Sequence, residues 1–228
     1  MVAGMVEDPA ETLRQSQDVL AWTRKKNGPD SSFTIRAMAE VATQLSRHDR
    51  LAEELTLRRE IVAALRRTLG TEVESTVGAE LNLAVCLNSS GRGDEAAALL
   101  THVVERREAV LGDDAPETLV ALAWSANVAK RLGRLEEAGD LQQRIVAGYE
   151  AGDTPESAPA MSAALNLAST LADLGRSPEA ADLLRHVLDV RRRTLGPEAE
   201  ETVRVQVLLA SVESPDHPVD GRPGPSAG

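Results

Sequence analysis

Along most of the chain apolar residues return at steps of three and four. Downstream of Gly91 come Ala96, Leu100, Val103 and Val104, and the same order reappears as Ala180, Leu184, Val187 and Leu188. Upstream, Ala84 stands between Leu83 and Leu87, as Ala168 stands between Leu167 and Leu171. Such steps collect the apolar side chains on one face of a helix, so each block predicts an amphipathic α-helix. The blocks are divided by polar phrases that resemble one another. "SSGRGDEAAALL", "RLGRLEEAGDLQ" and "DLGRSPEAADLL" place Gly91, Gly133 and Gly175 at intervals of 42 residues, and a weaker copy, "RHDRLAEELTLR", places Asp49 one interval earlier. Arg50, Arg92, Arg134 and Arg176 follow directly, then Glu53, Glu95, Glu137 and Glu179, while Ala42, Ala84, Ala126 and Ala168 precede.

The period predicts a unit of two helices joined at the Gly-Arg turn. Glycine ends the first helix because it enters positive φ without a Cβ penalty, which Asp49 does at more cost. A second phrase, "LGDDAPETL" from Leu111, with "LGTEVESTV" from Leu69 and "LGPEAEETV" from Leu195, marks the junction between units. Gly112 terminates one helix, and Pro116 with Glu117 suits the first turn of the next, where a missing N–H is harmless and negative charge meets the helix dipole. A looser copy at 151–160 predicts a lengthened junction. One hairpin cannot bury both apolar stripes alone, so the units must stack. The register begins and ends in half-units, giving a helix, four pairs and a helix. An orphan terminal helix serves as a cap or offers a seam for a homodimer.

Composition narrows the core. Aromatics are 2% of the chain, namely Trp22, Phe33, Trp124 and Tyr149, so Leu, Val and Ala must fill the interior, which suits close helix packing. The formal charge of -11 discourages nucleic acid and anionic membrane as partners. Cys86, the single cysteine, lies in the apolar run "LNLAVCLN" and reads as a buried small hydrophobe. Neither a leader-like segment nor an apolar run long enough for a membrane span is apparent, and a cytoplasmic location is expected. The segment 212–228, rich in proline and glycine, is expected to be a disordered tail, and residues 1–8 to be loose.

These repeats resemble the tetratricopeptide family, in its 42-residue variety found in kinesin light chains and bacterial regulatory arrays. The family's paired alanines are matched by Ala84 and Ala96, Ala126 and Ala138, and Ala168 and Ala180, and its inter-unit phrase by Leu111, Gly112, Asp114, Pro116, Thr118 and Leu119. Glu54 departs from the pattern where a post-turn alanine belongs. The resemblance implies an all-α fold, a right-handed superhelical solenoid of antiparallel helix pairs, over residues 9–211. It also implies a groove lined by first helices. Carried onto this chain, the peptide-binding positions are Arg36, Arg47, Leu81, Asn82, Val85, Trp124, Asn127, Lys130, Arg131 and Asn166. Val120, Ala123 and Ser162 belong to the wider groove set. Trp124 reads equally as core filler.

No phosphate loop, nucleophile elbow, zinc-binding helix motif or cysteine pair occurs, so neither catalysis nor a cofactor or metal is expected. His102 and His186 recur two units apart and read as a surface column. The repeated arginines read as partners of the repeated glutamates. The expected function is noncatalytic recognition of a protein or an extended peptide, acidic and partly apolar, as part of a regulatory scaffold. A homo-oligomeric scaffold and a small-molecule or enzyme-accessory pocket in the same groove remain as alternatives.

Overall fold

The computed structural model describes residues 9–152 and 155–214; the predicted loose start and the part of the predicted tail beyond Ser214 lie outside them. Among the described residues there are ten helices and no strand: α1 (Pro9–Asn27), α2 (Ser32–Arg47), α3 (Leu51–Leu69), α4 (Glu74–Ser89), α5 (Gly93–Leu111), α6 (Pro116–Arg131), α7 (Leu135–Ala151), α8 (Ala158–Asp173), α9 (Ser177–Thr194) and α10 (Glu200–Glu213). Helix starts at Ser32, Glu74, Pro116, Ala158 and Glu200, and at Pro9, Leu51, Gly93, Leu135 and Ser177, are each 42 residues apart. The fold is all-α, built of consecutive antiparallel helix pairs flanked by α1 and α10.

The junction before α8 is lengthened as expected, and the start of the expected tail differs. The junction before α8 keeps the period: α7 stops at Ala151, two residues short of the position set by Leu111, so the extra loop is taken from the helix. Val212 and Glu213, placed by the sequence in the tail, are helical, because α10 continues to Glu213. Val212 packs against the cluster around Leu184 and Leu188, and Arg185 holds the Glu213 carboxylate at 2.6 Å.

The chain divides into two compact units, Met1–Gly112 and Asp113–Gly228, with α1 to α5 in the first and α6 to α10 in the second. Within each, a helix packs on its neighbours in the chain. The repeated alanines Ala42, Ala84, Ala126 and Ala168, and Ala96, Ala138 and Ala180, are all buried, and leucine and valine fill the space between them. Glu54, the exception in the second column, is buried too, and its carboxylate meets Arg58 at 3.2 Å. A charge in a column of alanines is tolerated because an i,i+4 partner lies on the same helix face.

The bends follow the sequence. Gly91, Gly133 and Gly175 have φ of +75°, +75° and +74°, and Asp49 at +55° is the sole described non-glycine residue with positive φ. At the other junction Thr34 Oγ1 donates to the Gly28 carbonyl at 2.7 Å and Thr76 Oγ1 to the Gly70 carbonyl at 2.8 Å. These buried hydroxyls satisfy carbonyls that the ends of α1 and α3 leave open.

Candidate recognition face

Each first helix buries one stripe and leaves another uncovered, and the mapped groove residues lie on or beside the uncovered stripe. In α2, Arg36 and Arg47 are exposed, and neither makes an ion pair or hydrogen bond with any described residue. In α4, Asn82 is exposed between the half-buried Leu81 and Val85, and its amide likewise has no described partner. The first unit therefore presents two uncompensated guanidinium groups, one uncommitted amide and an apolar contact.

The second unit differs. Lys130 Nζ lies 2.9 Å from Asp173 Oδ2 and 3.2 Å from Ser169 Oγ, so its charge is shared within the unit. Asn127 and Arg131 are exposed but already have partners within the protein. Trp124 is half-buried, between its two expected roles. Asn166 is exposed at the edge of a half-open pocket of about 240 Å³. Val120 and Ala123 of α6 and Ser162 of α8 line the same pocket, as do Leu119 and Ala163.

Three lining residues, Gln142, Ile145 and Tyr149, come from α7, a second helix outside the predicted set. Gln142 is 8% exposed, and its Oε1 is buried with no hydrogen-bond partner. The signal was available in the repeat: Gln142 stands 42 residues from both Leu100 and Leu184, an amide in a column that holds leucine in two copies and Arg58 in the first. Nearby Gly148 allows close contact, since a Cβ there would lie 2.6 Å from Leu119 Cδ2.

Several other ionisable groups are engaged in structural pairs. Arg50, Arg92, Arg134 and Arg176 each meet the glutamate three residues on, at 2.6, 2.5, 3.7 and 2.7 Å. Glu80, wholly buried on α4, accepts from Arg66 of α3 at 2.6 and 2.9 Å and sits 2.8 Å from His102 Nδ1 of α5. His102 thus belongs to a three-helix polar cluster, while His186 is exposed. Burial, with the Glu54 carboxylate nearby, pushes the Cys86 thiol up from its ordinary range, which favours the unreactive protonated form. Among the described residues no group of three or more His, Cys, Asp or Glu could hold a metal ion. No described helix is long and apolar enough to cross a membrane.

Tetratricopeptide repeat profiles match residues 75–152 and 161–218. The chain belongs to the tetratricopeptide repeat family. Its fold is similar to a Podosopora anserina structure of nearly identical TPR-like repeats of kinesin-light-chain type, with a TM-score of 0.75 at 23% identity over 82% of this chain and 88% of that one. It is also similar to BtubC (BKLC) from P. vanneervenii, with a TM-score of 0.74 at 14% identity over 91% of this chain and 84% of that one. No curated protein sequence matches the chain.

Proposed function

We propose that the protein is a noncatalytic module that recognises an extended peptide or protein segment along the uncovered face of its first helices, as part of a cytoplasmic regulatory scaffold of the 42-residue tetratricopeptide variety. The observation that carries this reading is the uncommitted state of Arg36, Arg47 and Asn82 in the first unit. An amide both donates and accepts, which suits a peptide backbone, and a guanidinium offers paired donors to a carboxylate. These groups favour an acidic ligand segment despite the protein's overall charge of -11, because screening over about 8 Å makes the nearest charges decisive.

The test is binding of an acidic, partly apolar peptide library to the protein and to the double variant Arg36→Glu, Arg47→Glu. Affinity for acidic members is expected to fall by tenfold or more, about 1.4 kcal/mol, with the helical circular dichroism unchanged. Equal affinity for both proteins would remove the acidic-segment reading. Lys130→Glu should weaken binding less, because Lys130 is already neutralised by Asp173.

A second reading, self-assembly, is favoured by the outer faces of α1 and α10. Val19 and Trp22 are 54% and 58% exposed, whereas Ile61 and Ala64, one period later, are 5% and 1% exposed. Val203 is 44% exposed, whereas its counterpart Met161 is 5% exposed.

A further inference from the structure

The described helices include half a repeat at each end, and the two halves are complementary. By register α1 is a second helix without its first, and α10 is a first helix without its second; each packs on a single neighbour, α2 and α9. The faces they leave open are those that complete pairs close. On α1, Val19 is exposed, although Ile61, Val103, Ile145 and Val187 at the same register position are all buried. On α10, Ala210 is exposed, although Ala42, Ala84, Ala126 and Ala168 are all buried.

The charges match as well. In two of the complete pairs an arginine in the last turn of the second helix meets a carboxylate just ahead of the first helix: Arg67 lies 2.5 Å from Asp30, and Arg193 lies 2.7 Å from Glu156. The same register positions hold Lys25 in the last turn of α1 and Glu198 just ahead of α10. Both are exposed, and neither is paired with any described residue. Each end thus carries one half of an ion pair that the complete pairs make. Of the two polar residues on the α10 face, Glu213 is held by Arg185, and Gln206 stands in the register of Glu80, which meets His102 of its own second helix. The counterpart of His102 on α1 is Asp18, a carboxylate able to accept from the Gln206 amide.

We propose that copies of this chain join head to tail: α10 of one copy and α1 of the next form a helix pair of the same kind as the internal ones. Val203 then meets Trp22 and Ala210 meets Thr12, as Met161 and Val190, and Ala168 and Ala180, share one core cluster in the last complete pair. Glu198 meets Lys25 of the next copy. This deepens the self-assembly reading and rests on it. The contact is heterologous, because each copy offers two different faces.

Light scattering of the full chain and of two variants, each blocking one face at an exposed position, tests the arrangement. Trp22→Glu blocks α1, and Ala210→Glu blocks α10. Each variant alone is expected to stay at 24.3 kDa, and an equal mixture to reach twice that mass and stop, since one open α10 and one open α1 remain. A variant that associates with itself, or a mixture that stays monomeric while the original chain assembles, would overturn the head-to-tail pairing and leave self-assembly standing. An original chain of constant monomer mass overturns both. The register is tested by charge exchange, with helical circular dichroism as the check on folding. Lys25→Glu is expected to weaken association about three- to tenfold, and adding Glu198→Lys to the same chain to recover it, because the exchanged charges meet again between copies. No loss with the first change, or a further loss with the second, would overturn the assigned register.

Discussion

At the scale of single residues, the repeat makes the chain its own control. Asp49 occupies a bend where three other copies use glycine, and it holds a φ of +55° that an L side chain adopts at a cost. Glycine relieves the strain but loses more chain entropy on folding, so the two terms oppose each other. Asp49→Gly is expected to raise stability by about 0.5 kcal/mol, read as a thermal midpoint higher by about 1–2 °C. A lower midpoint would mean that the aspartate makes a compensating local bond. Glu54 and Gln142 break other columns, but they differ: Glu54 has Arg58 beside it, whereas the Gln142 oxygen has nothing. Only the first of these exceptions is internally satisfied.

At the scale of helices, the Arg66–Glu80–His102 cluster ties α3, α4 and α5 together through a buried carboxylate. Removing one partner of such a group leaves charge stranded, whereas replacing the group itself with an apolar side chain removes the desolvation cost. Position 38, one period earlier, holds a buried methionine, so Glu80→Met is expected to be tolerated within about 1 kcal/mol. Arg66→Ala is expected to cost about 2 kcal/mol, less than a fully buried pair, because water reaches both Arg66 and His102. Urea unfolding of both variants checks the order; a larger loss in Glu80→Met would show that the cluster contributes net stability. The sequence reading saw His102 only as one of a column with His186, since the partner at position 80 follows no repeat pattern. Helix existence and the 42-residue spacing, by contrast, were legible, because periodic apolar steps report directly which face is buried.

At the scale of the molecule, the outward positions of α10 are Val203, Gln206, Ala210 and Glu213, in the register of Met161, Ala164, Ala168 and Leu171. That face is half apolar and half polar, while α1 presents Val19 and Trp22. If these faces join copies, light scattering will show mass rising above 24.3 kDa with concentration, and Trp22→Glu will return it to the monomer. A constant monomer mass over the same range would exclude the assembly reading.

The sequence by itself determined the helices, their period and the bends at Gly91, Gly133 and Gly175, while the recognition positions on the first helices came only from the family resemblance. Helices, period and bends are local or repeated properties, and the chain states them several times over. Only the tertiary structure decided which polar groups at the recognition positions are spent and which are free. It set Lys130 against Asp173, left Arg36 and Arg47 unpaired, and brought Gln142 of a second helix to the pocket that residues of two first helices line. The physical reason is that a side chain's availability depends on what packs across from it, and in this chain the deciding neighbour lies on another helix, a full repeat away in the case of Lys130 and Asp173.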